Sequence, residues 1–361
     1  MICRAGIAPA RRALVSPSKH QETIMKKIAS LALAIATLAP APHASAQPTI
    51  VAPGFGLAPF HTHTNGDAIV SFDWDAAANL YYMTTAGFPD ISVWRTSGGA
   101  PTSIYANANR FSGASVVFIG DFVYFNDSDF SNTQFVHRYG PVSGAAVSSQ
   151  ISTTRNSSLY GHDGDLFIAG APGFGTNQIY HSDLAVDGTL VNDPATSLGV
   201  TSGSSGPLVF DGAGNLYYAP GFGDLSIYKW SALEVGNAIA SPAGSPLNTP
   251  GHLWLNYSAL YPTASGATSM LLDADGDLLV TLSNFIDPSG LVEFGADAGG
   301  DYDGTALEIL TDTGRLGELR TLNGGVFVSS DNKIFQLVPE PGCALVVVGF
   351  AVLLARRSRR S

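Results

Sequence analysis

The chain has 361 residues, 29 of them acidic and 18 basic, a formal net charge of −11, with 45% hydrophobic residues, 40 glycines and 21 prolines. That content is ample for a packed core and unlike a disordered chain, and the surplus of acids argues against nucleic acid or an anionic membrane surface as partner. The two cysteines, Cys3 and Cys343, lie near the ends, which leaves the body without a disulfide, a thiol catalyst or a cysteine-held metal.

In chain order, the first feature is Met25-Lys26-Lys27 ahead of the apolar run Ile28 to Ala39, followed by the small residues Ala44-Ser45-Ala46. A short positive segment, an apolar stretch and a small-residue cleavage site make a secretory signal peptide. Met25 is the expected start and Gln47 the expected first mature residue. The 24 residues before Met25, with Arg4, Arg11, Arg12 and Lys19, fit no part of such a signal.

Residues 47–338 hold 27 acids and 8 basic residues, a net of −19, and 23 of those acids are aspartate. Aspartate favours turns and disfavours helices, so this is a composition of many turns. A unit of two short apolar strands joined by an Asp/Gly/Asn turn recurs six times, with Leu80, Phe122, Leu166, Leu216, Leu278 and Val326 as the first apolar residue after each turn. A third strand follows each copy, as in "ISVWR", "QIYHS" and "LSIYKW". No stretch shows helical periodicity over a helix's length, so the body reads as all-β. Units of about 40–50 residues that cannot bury both faces alone stack around an axis, which predicts a β-propeller of six blades. The sixth unit ends one strand short, and residues 48–60 are strand-like with no unit of their own. They are expected to supply the missing outer strand and close the ring. The run Asp211-Gly212-Ala213-Gly214-Asn215-Leu216-Tyr217 resembles the turn-strand pattern of NHL-type and lactonase-like propellers, which implies the same architecture.

Several side-chain groups are candidates for a site. Asp273, Asp275 and Asp277 in "DADGD" have the alternating spacing of oxygen ligands in a calcium loop. The glycine is at the fourth rather than the sixth place and the twelfth residue is Asn284, so a plain Asp/Gly hairpin turn competes with calcium. Asp297, Asp301 and Asp303 read as a solvated loop. His61 and His63 stand two apart, as zinc ligands on a strand do, without a third ligand in sequence. The pairs Tyr81-Tyr82 and Tyr217-Tyr218 alternate faces, one ring for packing and the other open to sugar stacking.

The tail is read from its length and flanks. Gly342 to Ala355 spans 14 residues, about 21 Å of helix, against the roughly 20 residues of a lasting membrane span. Pro339 and Pro341 prevent an earlier start, and Arg356, Arg357, Arg359 and Arg360 hold the far end on the cytoplasmic side. Val338-Pro339-Glu340-Pro341, the short transmembrane helix and the arginine cluster resemble the PEP-CTERM sorting signal. That resemblance covers residues 338–361 and implies a bacterial exported protein, transiently anchored in the inner membrane by this helix. It further implies cutting near the motif by an exosortase-type enzyme, in species that make extracellular polysaccharide. The expected location is the cell envelope or the extracellular space.

Two functions fit these readings. One is a surface or matrix protein whose non-catalytic propeller binds polysaccharide, a cation such as calcium, or another protein. The other is an extracellular hydrolase or lyase working at the central channel. The sequence shows no G-x-S-x-G, no H-E-x-x-H and no glutamate pair at a repeated position, which favours the first.

Overall fold

Six antiparallel sheets succeed one another along the chain, each meandering outward from an innermost strand. The computed structural model describes residues 47–340, except 87–89, 129–134, 141–146, 152–155, 172–175 and 284–288. Blade one comprises Ala68–Trp74, Leu80–Thr85, Ile91–Thr96 and Thr102–Asn107. Blade two comprises Phe111–Ile119, Phe122–Ser128, Phe135–Tyr139 and Val147–Ile151, and blade three Asn156–His162, Asp165–Gly170, Gln178–Ser182 and Thr196–Val200. Leu208–Phe210, Leu216–Tyr218, Ser226–Trp230 and Leu253–Asn256 form blade four, and Gly266–Leu272, Leu278–Ser283, Ser289–Ala296 and Tyr302–Asp312 blade five. Blade six takes Leu316–Leu322, Gly325–Ser330 and Lys333–Pro339 from the end of the chain. The innermost strands neighbour one another in this order, with the sixth against the first. The six-bladed propeller expected from the repeats is the fold observed.

The ring is closed by the N-terminal segment, as its unpaired character predicts. Phe55–Thr62 pairs antiparallel with Lys333–Pro339, from Phe55 opposite Pro339 to Thr62 opposite Lys333. The segment does more than was expected of it, because Thr49–Ile50 first pairs with Leu310 and Thr311 at the rim of blade five. One strand-like run is therefore two strands on adjacent blades. An irregularity between Pro59 and His61 leaves Phe60 out of register, and its ring meets Trp74 and Phe327 edge-on. Proline on an outermost strand costs no sheet bond, since that N–H would face solvent.

Packing between blades is apolar and dense. Leu80 and Tyr82 of blade one lie with Phe327 and Ile334 of blade six, and Val209 and Tyr217 of blade four with Met270 and Val280 of blade five. The hairpin turns have a shared cause. Asp75 Oδ1 accepts the backbone N–H groups of Ala77 and Asn79, and Asp211 Oδ1 those of Ala213 and Asn215. Each Asn then donates its side-chain amide to the other oxygen of that aspartate. An aspartate that bonds its own turn explains why this body is so rich in that residue.

Among the described residues, the absence of helix expected from periodicity fails at one place. Helix α1 (Ala232–Ala240) lies in the connection between the third and fourth strands of blade four, with a Ser231/Glu234 capping box. Two buried residues, Val235 and Ala238, suffice to seat it, a pattern too short for a periodicity scan to register.

A second repeated device joins neighbouring blades. Tyr124 Oη donates to the Gly188 carbonyl at 2.6 Å, and Arg138 Nη1 to the adjacent Asp187 carbonyl. Blade two thereby holds the loop between the third and fourth strands of blade three. Blade four grips the corresponding loop of blade five in the same way, since Tyr217 Oη and Lys229 Nζ both donate to the Gly300 carbonyl, at 3.1 and 2.6 Å. Both glycines have positive φ, 76° and 74°, and a Cβ on Gly188 would sit 2.6 Å from the Phe122 ring.

Candidate functional site at the propeller axis

Each innermost strand turns one edge to the axis, where its backbone groups have no next strand to bond. Side chains of the preceding blade fill several of these gaps. Val116 N–H donates to Ser71 Oγ at 2.8 Å, Leu159 N–H to Ser115 Oγ at 2.9 Å and Leu319 N–H to Ser269 Oγ at 3.0 Å. Phe118 N–H donates to Asp73 Oδ2 at 2.8 Å.

Three charged groups meet in this setting. Glu318 is buried, its Oε1 accepting from Arg320 Nη1 and Ser269 Oγ at 2.6 Å each, and its Oε2 from Ser71 Oγ at 2.9 Å. Arg320 also places Nε 3.8 Å from Asp73 Oδ2 and donates from Nη2 to the Val116 carbonyl at 3.2 Å, reaching from blade six to blade two. Tyr160 of blade three lies close enough for Arg320 and Asp73 to act on it, and its hydroxyl accepts the N–H of Phe210 in blade four. All six blades therefore contribute to one polar cluster.

Burial governs the electrostatics. Desolvation pushes Asp73 and Glu318 above the usual carboxylate range, with the Arg320 charge pulling the other way in both. For Arg320 desolvation opposes the charged form, but the two carboxylates outweigh it and raise its pKa. Burial likewise raises Tyr160. One guanidinium between two carboxylates, with Glu318 already accepting from three donors, braces the ring. Arg315 stands in the loop just ahead of the innermost strand of blade six, at one end of the axis. It is exposed, yet surrounding protein lowers its pKa by desolvation, and it has no ion-pair partner among the described residues.

The sequence-derived candidates lie elsewhere. Asp273 Oδ1 accepts the N–H groups of Asp275 and Asp277, which is the turn geometry of Asp75 and Asp211, and Asp277 Oδ1 accepts Ala296 N–H. Among the described residues, Asp273, Asp275 and Asp277 do not bring three ligand atoms within 4.8 Å of one another. Asp297 also caps its own turn, bonding Gly299 and Asp301 N–H. The packing expected of one ring in each tyrosine pair extends to both, for Tyr81, Tyr82, Tyr217 and Tyr218 are all buried, and the alternative of sugar stacking by the second ring falls away. Along a strand whose two faces both pack on neighbouring blades, alternation hides both rings. His61 and His63 face Tyr82 from the closing strand, and His63 Nδ1 lies 3.0 Å from Tyr82 Oη. Val338 and Pro339 belong to the last strand, and Glu340 N–H donates to the Gly54 carbonyl. Pro341, Arg356, Arg357 and the 342–355 segment lie outside the described residues, as does the signal peptide. No helix among the described residues is long and apolar enough to cross a membrane.

The axis cluster had a legible signal that spacing rules passed over. "LGELRTL" and "VSFDW" put charges inside strands that the repeat makes innermost, where apolar residues are otherwise the rule.

No family model matches the sequence, and no curated protein matches it. Solved structures do share the fold. A Trichoderma reesei protein of Carbohydrate-Active Enzymes Family AA12 superposes with a TM-score of 0.57 at 13% identity, covering 81% of this chain and 98% of its own. The PQQ domain of pyranose dehydrogenase from Coprinopsis cinerea gives 0.52 at 14% identity, covering 83% and 98%. At such identity these likenesses define the class of protein, a six-bladed β-propeller, and no activity.

Proposed function

We propose that this chain is an exported surface or extracellular-matrix protein whose propeller is a non-catalytic binding module for extracellular polysaccharide. The observation that carries the non-catalytic part is the braced axis. Propeller chemistry at the centre needs an acid or base free to exchange a proton with a substrate, whereas Glu318 accepts from Arg320, Ser71 and Ser269 and Asp73 accepts a backbone N–H. Delivery rests on the two terminal signals: removal of residues 1–46, passage through an inner-membrane anchor, and cutting by an exosortase-type enzyme near Pro339-Glu340-Pro341. Calcium at Asp273, Asp275 and Asp277 competes with a plain hairpin turn, which the turn bonds of Asp273 favour. No calcium-specific rise in melting temperature is therefore expected; a rise that Asp275→Asn removes and sodium at matched ionic strength does not reproduce would restore the calcium site.

The structurally similar pyranose dehydrogenase domain from Coprinopsis cinerea is a PQQ domain. A quinone bearing three carboxylates needs several free cations, and the described axis offers Arg320, already engaged, and Arg315. The described residues at the axis do not by themselves fit that cofactor.

The test is co-sedimentation of the protein with isolated exopolysaccharide, with release of reducing or unsaturated ends followed in parallel. Binding without turnover is expected, weakened by Arg315→Ala at the axis mouth. Turnover abolished by Asp73→Asn would replace this reading with the hydrolase or lyase one.

A further inference from the structure

The cross-strand pair used by the inter-blade clamp recurs with a telling exception. Tyr81 stands opposite Arg95, Tyr124 opposite Arg138 and Tyr217 opposite Lys229, an aromatic ring beside a permanent cation. In blade three the pair is Phe167 and His181. The ring has lost its hydroxyl, and the cation has become a base that holds a lone pair when neutral. The next blade gives this position nothing to grip, because blade four carries helix α1 where blades three and five have the clamped loop.

His181 turns instead to carboxylates of its own blade. Its imidazole is buried, with Nε2 3.0 Å from Asp165 Oδ2 and 3.6 Å from Asp183 Oδ1. Asp165 opens the second strand and Asp183 follows the third, so both positions are fixed by the sheet. Asp183 is further anchored by its carbonyl, which accepts Val191 N–H. Among the described residues, Asp165, His181 and Asp183 are the one set of three such donors whose ligand atoms all lie within 4.8 Å of one another.

We propose that Asp165, His181 and Asp183 bind a divalent transition metal of the zinc type. A metal about 2.1 Å from each donor keeps them roughly 3.0–3.4 Å apart, close to the two separations seen at Nε2. One imidazole and two carboxylates suit zinc better than calcium, which asks for six or more oxygens. A purely structural ion pair would be served by the arginine or lysine of the other blades; a histidine adds a donor that a metal can use. The carboxylates also leave a way in, since Asp165 is partly and Asp183 largely exposed. Water completes the coordination, and the site lies on a blade, away from the axis cluster.

The experiment titrates zinc into the full chain, purified without a polyhistidine tag, in competition with a chromophoric chelator. One equivalent is expected to bind, at least tenfold more weakly in Asp183→Asn and in His181→Gln. His252→Gln, which disturbs the two-donor pair with Glu234, is expected to leave affinity unchanged. Asp183 is exposed and its variant folds on that ground, so it decides the question even where His181→Gln does not fold. Wild-type affinity in Asp183→Asn, or no stoichiometric uptake by the wild type, overturns the proposal.

Discussion

Arg320 is the side chain on which the axis depends, because it is the counter-ion for two desolvated carboxylates. Removing one partner of a buried ion cluster leaves uncompensated charge and costs about 3–5 kcal/mol, far more than an exposed pair would. Arg320→Met is therefore expected to lower stability by about that amount at neutral pH, measured by denaturant unfolding. The pH dependence identifies the cause. Asp73 and Glu318 have raised pKa values in the fold, so over the range between the unfolded and folded values the native state binds more protons than the unfolded chain. Their charge costs stability above that range, and the cost is relieved as pH falls through it. Without Arg320 those values rise further, so the variant's deficit is expected to shrink on acidification. A deficit that stays constant from neutral to acid pH would mean that lost packing, not charge, is responsible.

Elements made of repeats were the most legible part of this protein, and the reason is physical. Every blade must bury the same two faces and make the same turn, so strands and Asp turns recur in the sequence and the sixth unit shows by its shortness that a strand is missing. The clamp was not legible, because Tyr124 and Arg138 meet Gly188 and Asp187 across a blade boundary, 64 and 49 residues away in sequence. The axis was legible only in part: Asp73, Glu318 and Arg320 stand out as charges inside innermost strands, but their meeting across blades six and one follows from ring closure and not from spacing. The clamp's spacing now explains a difference between blades: blade five has Leu279 opposite Glu293 where blades one, two and four have tyrosine and a cation. Its neighbour is blade six, whose outer strand arrives from the N-terminus, so that blade has no loop between its third and fourth strands to hold. Tyr124→Phe should cost about 1 kcal/mol, the usual worth of one hydrogen bond. Gly188→Ala should cost more, from both the left-handed backbone and contact with Phe122, and equal effects in thermal melts would contradict the clamp. Deleting residues 47–62 removes the closing strand and bares the edge of Lys333–Pro339, so a lower melting temperature and a tendency to associate are expected. An unchanged melt would show that the ring does not need its N-terminal strand.

At the scale of the whole molecule, acid stability is set by groups of opposite sign. The body's net charge of −19 repels itself, which acidification relieves, and the axis carboxylates act in the same direction. His61 and His63 oppose them. Both sit on or beside the closing strand against Tyr82, with Trp94 packed on His63, and burial lowers both pKa values; for His61 the neighbouring His63 adds to this, while Asp67 partly offsets it for His63. An unfolded histidine titrates near 6.5, so below that value the unfolded chain binds protons that the fold resists, and stability is lost as pH falls through the window down to the folded values. The loss is located at the seam between blades six and one, where the ring is closed by strand pairing rather than by continuous chain. Melting temperature is therefore expected to fall from about pH 7 to about pH 5.5, within the range where histidine is the side chain that changes charge. His61→Gln and His63→Gln together should flatten that limb and leave the more acidic, carboxylate-governed part of the curve unchanged. If the double variant kept the wild-type slope, the seam histidines would not be the groups responsible for the loss.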